Sequence, residues 1–258
     1  MSAFGPGLLV SAEDGVATVT LGNPARRNAM TLAMWRALPG VLGGLAADPG
    51  VRVLVLTGEG DTFCAGADIT DFTTAPGGPR GVQDAAVAAE EALAAFPKPT
   101  VAAVRGFCVG GGCQLAVACD VRFAAEGARF GVTPARLGIV YAASSTRRLV
   151  ALTGPSTAKY LLFSAELIDH ERALRTGLVD EVLPADGLDK RVREFTGVLT
   201  SRSRLTQAAA KEFASAVPSP ERQAYWDAQA RDAGEAAEGA AAFLERREPR
   251  FTWAPRAD

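Results

Sequence analysis

Short runs of apolar residues along the first half of the chain indicate a buried β-sheet. Alternating apolar positions in Leu8–Ser11 and Val16–Leu21 flank an Asp-Gly pair, which is typical of a tight hairpin. Three further runs, Val51–Leu56, Thr100–Val104 and Val121–Ala124, are apolar at nearly every position. Strands buried on both faces of a parallel sheet have this pattern. The pattern therefore predicts a hairpin that leads into a parallel sheet.

Stretches of helical character separate these strands. Thr31 is a suitable N-cap for a helix that extends towards Ala47, although Pro39-Gly40 should interrupt that helix. The Ala- and Glu-rich stretch Val82–Phe96 predicts another helix. The Gly- and Pro-rich stretch Thr73–Gly81 before it predicts a mobile loop.

The second half of the chain is mostly helical in pattern. The alternation of strands and helices predicts α/β layering over residues 1–195, followed by a helical region over residues 196–258. The helices predicted after residue 155 are Thr157–Leu162, Asp169–Thr176, Leu188–Val198, Leu205–Phe213 and Glu221–Arg246.

The net charge and the distribution of charged and apolar residues limit the kinds of binding partner that we expect. The net charge is −2 and no basic stripe is present, so we expect neither nucleic acid nor an anionic membrane surface as a partner. No apolar stretch reaches the length of about 18 residues that a membrane span requires. The first residues lack the basic and apolar regions of a signal peptide. We therefore expect a soluble cytoplasmic protein.

The cysteines do not predict a metal site. Cys64, Cys108, Cys113 and Cys119 form no CxxC pair, and the single histidine, His170, is distant in sequence. The last three cysteines lie in an apolar stretch and are interpreted as small buried residues rather than disulfide partners.

Two segments rich in small residues carry the candidate chemistry. Phe63–Ile69 follows one predicted strand, and Gly106–Asp120 follows another and continues into a predicted buried helix over Cys113–Cys119. The carboxyl ends of strands are where α/β proteins hold ligands, and helix starts direct free N–H groups at them. Two such turns facing each other predict an oxyanion hole.

The order and spacing of several motifs resemble the crotonase (enoyl-CoA hydratase/isomerase) superfamily over nearly the whole chain. The matching segments are TLGNPARRNAMT, VLTGEGDTFCAGADI, KPTVAAVRGFCVGGGCQLAVACDVRFAAEGARFG, Leu152–Gly154, ALRTGLVDEVL and GAAAFLERREPRF. The resemblance implies an α/β fold with a crotonase-type ββα spiral core and a C-terminal helical trimerisation region. It also implies assembly into a homotrimer or hexamer and an acyl-CoA substrate, with coenzyme A as part of that substrate and no separate cofactor.

The resemblance also implies roles for individual residues. The backbone N–H groups of Ala67 and Gly111 would form the oxyanion hole. The residues implied to bind the CoA part are Arg26, Asn28, Ala29, Ala65, Asp68 and Ile69, together with Phe243 and Arg246 near the C-terminus, which in relatives sometimes serve a neighbouring subunit. Independently of the family, Asp68 is a suitable helix N-cap.

The sequence departs from the family where the two catalytic glutamates are expected. Gln114 and Pro134 occupy those positions, and neither side chain exchanges protons near neutral pH. The Thr133-Pro134 pair, the Leu137-Gly138 pair and Tyr141 partly resemble the methylmalonyl-CoA decarboxylase branch, and Thr133 is a further polar candidate. Tyr141 would orient a carboxylate or donate a proton. Glu90 and Glu91 are interpreted as residues of an exposed helix, although this helix can border the acyl pocket in relatives, so that either glutamate stays a candidate to reach the site.

Several functions therefore stay open at this point. The first is an enolate-forming hydratase or isomerase with substituted catalytic groups, and the second is an acyl-CoA decarboxylase, which needs the oxyanion hole but no base. The others are a non-catalytic acyl-CoA-binding protein and a thioester hydrolase, for which no base is identified.

Overall fold

The computed structural model describes residues 2–215 and 217–255. The strands are β1 (Ser2–Gly5), β2 (Leu8–Glu13), β3 (Val16–Leu21), β4 (Val53–Gly58), β5 (Thr100–Val104), β6 (Phe107–Val109), β7 (Val121–Ala125), β8 (Arg129–Gly131), β9 (Ile168–Asp169) and β10 (Glu181–Leu183). The helices are α1 (Leu32–Ala47), α2 (Ile69–Thr74), α3 (Gly78–Ala94), α4 (Gly111–Ala118), α5 (Pro134–Leu137), α6 (Ala143–Ser164), α7 (His170–Arg175), α8 (Leu188–Ser201), α9 (Arg204–Ser215), α10 (Pro220–Ala233) and α11 (Glu235–Glu245).

Two sheets organise the first part of the chain. The larger has the strand order β1-β2-β3-β4-β5-β7-β10 and the smaller the order β6-β8-β9. In the larger sheet the β2–β3 hairpin is antiparallel, and the pairs β3–β4, β4–β5, β5–β7 and β7–β10 are parallel. The predicted hairpin and parallel sheet are therefore confirmed, whereas β1, β6, β8, β9 and β10 were not predicted because their runs are short or only partly apolar.

The central strands are buried on both faces. Leu54 and Leu56 of β4 pack into the larger core with α1, α3 and α4. Val53 and Val55 of the same strand point the other way and pack with residues of α8, including Leu188. Because side chains alternate along a strand, a run apolar at every position supplies both layers. This explains the confirmed α/β layering.

Helix α1 begins as predicted but is not interrupted. The Thr31 hydroxyl accepts a hydrogen bond from Met34 N at 3.3 Å, so it caps the helix. Pro39 lies inside α1, which continues to Ala47, so the predicted interruption is wrong. Leu38 and Leu42, on either side of the proline, are buried, and this burial offsets the cost of about 3 kcal/mol of an interior proline.

The stretch predicted as a mobile loop is largely helical. Helix α2 ends at Thr74 and α3 begins at Gly78, which leaves only residues 75–77 outside a helix. Gly77 has φ +84° as the N-cap, and Pro79 lies in the first turn, where its missing N–H costs nothing. The glycines and proline therefore mark a junction between helices, and the predicted loop is wrong.

The helical C-terminal region is present, with different boundaries. The helix predicted over Glu221–Arg246 is two helices, because Gly234 adopts φ +66° between α10 and α11. Helix α6 is much longer than predicted and contains a non-helical residue at Gly154. The predicted division at residue 195 falls inside α8 and remains a prediction. In the part of the chain that the structure describes, no helix is both long and apolar enough to cross a membrane.

Candidate active site

Two backbone turns meet at one edge of the larger core. Cys64 N donates to the Phe107 carbonyl at 2.8 Å, and Val109 N donates to the Cys64 carbonyl at 2.9 Å, so the turn after β4 lies alongside β6. A Cβ placed on Gly66 would lie 3.7 Å from Gly111 N, and one placed on Gly111 would lie 3.6 Å from Ala67 N. The turn ending at Ala67 therefore faces the start of α4.

The two facing N–H groups have no hydrogen-bond partner in the part of the chain that the structure describes. Among the described residues, no acceptor receives a hydrogen bond from Ala67 N or Gly111 N. Gly111 is the first residue of α4, where the N–H has no intrahelical acceptor and the helix dipole favours negative charge. Both donors are thus free for a ligand, as the predicted oxyanion hole requires.

Glycine is required at this junction for two reasons. Gly110 has φ +54° and ψ −119°, a conformation that residues with a side chain rarely adopt. A Cβ on Gly111 would lie 2.7 Å from Cζ2 of Trp35, which is fully buried. The fit of the indole against the glycine backbone sets the start of α4.

The free N–H groups open into a cavity of about 350 Å³. The lining of the cavity is mostly apolar. Helix α3 contributes residues to one side of the lining, and the segment between α5 and α6 contributes others. Gln83 closes that side with a hydrogen bond from Nε2 to the Val140 carbonyl at 2.5 Å. Polar or charged groups of the lining come from Trp35, Gln83, Gln114, Thr133, Arg136 and Tyr141. No carboxylate or histidine is among the described lining residues.

Gln114 projects from α4 into a buried polar network. Its Nε2 donates to Glu90 Oε2 at 2.5 Å and to Ser145 Oγ at 3.2 Å. Ser145 Oγ donates a very short hydrogen bond to the same Glu90 oxygen. Arg148 Nη1 pairs with Glu90 Oε1 at 2.8 Å. Three helices, α3, α4 and α6, are joined by this cluster directly behind the cavity wall.

The expectation that Glu90 belongs to an exposed helix face is wrong. Its exposure is 0%, although the side chain of Glu91 is 45% exposed. Ala86, Ala89, Glu90 and Leu93 are all buried, at the spacing of one helix face. That spacing was the available signal, since Glu90 occupies a position on the apolar stripe. A bond from Arg148 lowers the pKa of the Glu91 carboxyl.

Tyr141 and Thr133 line the cavity, as the predicted roles require. The Tyr141 hydroxyl has no hydrogen-bond partner among the described residues. Burial raises the pKa of this phenol well above its ordinary value, and nearby Cys113 and Glu90 raise it further. Tyr141 is therefore a proton donor at neutral pH. A Cβ on Gly110 would lie 3.7 Å from Thr133 Oγ1, so this hydroxyl is beside the turn.

Comparison with known proteins assigns the family. The sequence model of the enoyl-CoA hydratase/isomerase family matches residues 11–254. The chain belongs to the enoyl-CoA hydratase/isomerase family. It is 34% identical over 259 residues to the 2,3-dehydroadipyl-CoA hydratase of Escherichia coli, covering 95% of this chain and 98% of that protein. It is 35% identical over 212 residues to the crotonyl-CoA hydratase of Syntrophomonas wolfei, covering 80% and 81% of the two chains.

Solved structures agree with this assignment. A crystal structure of an enoyl-CoA hydratase/isomerase family member superimposes with a TM-score of 0.89 at 38% identity, covering 96% of this chain and 99% of that one. An enoyl-CoA hydratase/carnithine racemase from Magnetospirillum magneticum also gives 0.89, at 31% identity, covering 96% and 97%. The chain is thus an enzyme of the enoyl-CoA hydratase/isomerase family, and the predicted crotonase-type fold is confirmed.

The residues predicted to bind the CoA part, apart from Phe243 and Arg246, lie on two adjacent segments. Ala65 and Ile69 line the cavity, and Ile69 is exposed. Asp68 caps α2 by accepting from Thr70 N at 2.9 Å, as predicted. It also pairs with Arg26 Nη1 at 3.0 Å. Arg26 is therefore held by a carboxylate beside Ile69, at the predicted entrance of the cavity.

Asn28 and Ala29 are buried beside this entrance. The Asn28 amide donates to the carbonyls of Glu59 at 2.8 Å and Thr62 at 2.6 Å, so its side chain holds the turn after β4. Ala29 does not line the cavity. Asn28 is fully buried and does not line the cavity either, and CoA binding by both residues remains a prediction.

Phe243 and Arg246 lie away from this cavity. Phe243 is 83% exposed near the end of α11, and Arg246 caps that helix with φ +55°. Neither residue lines the cavity of its own chain. Their predicted contact with CoA, in a neighbouring subunit, therefore remains a prediction, as does assembly into a trimer or hexamer.

The cysteines are free and buried, as expected for small apolar residues. Burial raises the pKa of the Cys64 and Cys119 thiols to about 12. Both thiols stay protonated near neutral pH. Pro134, at the position of the second expected glutamate, begins α5 and lines the cavity.

Proposed function

We propose that this enzyme acts on an acyl-CoA thioester and stabilises the enolate of its acyl group. The observation that carries the proposal is the pair of unpartnered N–H groups, Ala67 and Gly111, facing one largely apolar cavity. The thioester oxygen would accept from both groups, and coenzyme A would be part of the substrate rather than a separate cofactor.

The geometry explains how such an oxygen would be stabilised. Negative charge grows on the thioester oxygen when a bond to the α-carbon breaks, as in decarboxylation or isomerisation, or when water adds to the β-carbon of an unsaturated thioester and the C=C electron pair moves towards that oxygen. Both donors would face the oxygen before the reaction begins. Loss of one oxyanion-hole donor costs roughly 2.7–4 kcal/mol in other enzymes. The start of α4 adds the favourable end of its dipole. The backbone therefore supplies stabilisation without a basic side chain.

The first candidate reaction is hydration or isomerisation, because the relatives named above are hydratases. We propose that it proceeds without the two glutamates of the family, since Gln114 and Pro134 stand at those positions. A water molecule would then need activation from another group. Glu90 is the nearest buried carboxylate to Gln114, at 2.5 Å, but it does not itself line the cavity.

Decarboxylation is a second candidate, and the lining of the cavity favours it. Cleavage of the bond between the α-carbon and a carboxylate releases carbon dioxide and leaves its electron pair in the enolate, so no base is needed. The α-carbon then takes a proton, and Tyr141 has an unpartnered hydroxyl for this step. The tyrosinate would recover a proton from water. Arg136 is the only charged group among the described lining residues and would attract the substrate carboxylate.

Mass spectrometry of products separates these reactions. Purified enzyme is incubated separately with crotonyl-CoA and methylmalonyl-CoA. Formation of 3-hydroxybutyryl-CoA supports hydration, and formation of propionyl-CoA supports decarboxylation. Release of free CoA alone would indicate thioester hydrolysis and contradict enolate chemistry. Binding of both thioesters without any product would indicate a non-catalytic role and contradict the proposal.

A further inference from the structure

We propose that Glu90 is a positioning residue that turns the amide oxygen of Gln114, rather than its nitrogen, into the acyl cavity. This arrangement would make the site prefer acyl groups that carry a hydroxyl. The inference rests on the proposed function, since it places the acyl group of a CoA thioester in this cavity.

The orientation of the Gln114 amide follows from its two partners. Arg148 is permanently charged and pairs with Glu90 at 2.8 Å, so the carboxylate of Glu90 accepts hydrogen bonds. Ser145 donates its only hydroxyl hydrogen to Glu90 and therefore offers a lone pair to Gln114. Both partners are acceptors, and only the Nε2 group of Gln114 can satisfy them.

Both amide hydrogens of Gln114 are thus committed behind the cavity wall. Oε1 is left without a donor among the described residues, and it is not one of their buried unsatisfied atoms. Because Gln114 lines the cavity, this oxygen faces the acyl group. A carbonyl oxygen accepts hydrogen bonds but cannot donate them, so it selects an O–H group.

A second ion pair holds Arg148 in the network formed by Gln114, Glu90, Ser145 and Arg148. Arg148 Nη2 pairs with Glu91 Oε2 at 2.5 Å, and its side chain is only 26% exposed. Glu90 itself is fully buried and does not line the cavity. Glu90 therefore acts on the acyl group only through Gln114, which makes it a positioning residue and not a catalytic one.

Calorimetric titration with matched thioesters tests this inference. The quantity measured is the ratio of the Kd values for butyryl-CoA and 2-hydroxybutyryl-CoA, whose α-hydroxyl is not a leaving group of hydratase chemistry, with mass spectrometry showing that each ligand is unchanged after titration. One hydrogen bond to an oriented amide is expected to favour the hydroxylated ligand by about tenfold in the wild-type enzyme. Gln114→Leu is expected to bring the ratio close to one.

Glu90→Gln tests whether Glu90 orients the Gln114 amide or only supports the fold. A neutral amide at residue 90 satisfies the amide of Gln114 in either orientation, so the preference should fall about fivefold. In the double variant with Gln114→Leu, Glu90→Gln should cause no further fall, because its effect passes through Gln114. Asp84→Asn removes a carboxylate from the exposed face of the same helix and should leave the tenfold ratio intact.

The outcomes distinguish failure of this inference from failure of the proposed function. Butyryl-CoA binding with no preference for the hydroxylated ligand would overturn the role of Gln114. A preference that survives Glu90→Gln, or an equal further fall in the double variant, would overturn the positioning role of Glu90. If neither thioester binds to the wild-type enzyme, the proposed acyl-CoA site itself is wrong.

Discussion

One wall of the cavity is built from backbone and the other from side chains, and the two walls differ in how closely they follow the family pattern. The backbone wall, with Ala67 and Gly111, presents the two free N–H groups that the resemblance implies. The side-chain wall has Gln114 and Pro134 at the positions where the resemblance implies glutamates, and the buried carboxylate of Glu90 on α3 lies behind this wall.

This difference separates two demands on the site. Holding an enolate requires donors at fixed positions, which turns and a helix start provide whatever the neighbouring side chains are. Moving protons requires groups with a suitable pKa in contact with the substrate. Under the proposed function, the first demand would be met by the backbone of two turns, and the second would fall on Tyr141 or on groups reached through Gln114.

The largest expected effect tests the backbone wall. Gly111→Pro removes one donor N–H at the first position of α4, where proline is otherwise tolerated. We expect kcat to fall by about 10²–10³ relative to Gly111→Ala, measured on whichever thioester the enzyme converts. Both substitutions place a Cβ 2.7 Å from Trp35, so the alanine variant controls for that clash. Equal rates in the two variants would contradict the oxyanion assignment.

The next effect concerns the side-chain wall. Arg148→Met leaves Glu90 buried without its cation, and breaking a partly buried ion pair of this kind should lower the free energy of unfolding by about 3 kcal/mol. Urea denaturation measures the change. Arg80→Met, which breaks an exposed pair with Asp84, should change it by less than about 1 kcal/mol. Similar small losses in both variants would show that the network is not a structural brace.

The free energy of unfolding should depend on pH through Cys64, which is part of the first of the two turns. Burial raises the pKa of this thiol from 9.0 to about 12. Above about pH 9 the unfolded chain loses the proton while the folded protein keeps it, so the free energy of unfolding falls as the pH rises. The slope should be up to about 1.4 kcal/mol per pH unit steeper in the wild type than in Cys64→Ala. Parallel slopes in urea denaturation between pH 9 and 11 would be inconsistent with this burial.

The smallest effect is expected at the entrance. Arg26 is exposed on one side and already paired with Asp68, so Arg26→Ala should weaken CoA binding by only about threefold. Isothermal titration with CoA measures this, and Arg80→Ala on α3 is the control. An unchanged Kd in Arg26→Ala would remove this residue from the predicted CoA site.

The parts predicted correctly from sequence are those set by local pattern. The central strands follow from mostly apolar runs such as Val51–Leu56, which overlaps the observed β4, because burial on both faces leaves few polar positions. The two turns follow from small residues placed after strands, together with the family motifs. Asp68 was identified as a cap because a carboxylate satisfies free N–H groups at a helix start.

The parts missed depend on contacts between distant residues. Glu90 and Gln114 are 24 positions apart on different helices, and only the tertiary fold brings them to 2.5 Å. The continuation of α1 through Pro39 likewise depends on burial of Leu38 and Leu42, which overrides local preference. Cytoplasmic location and assembly into trimers or hexamers stay predictions.

The central claim is that a thioester oxygen accepts from both Ala67 N–H and Gly111 N–H. Isotope-edited infrared spectroscopy tests it directly with butyryl-CoA labelled with ¹³C at the thioester carbonyl. Bound to the wild-type enzyme, the carbonyl band should shift to lower frequency, because two donors polarise the C=O bond. The shift should persist in Gly111→Ala and largely vanish in Gly111→Pro. An unshifted band in the wild-type complex, with binding shown by calorimetry, would contradict the account.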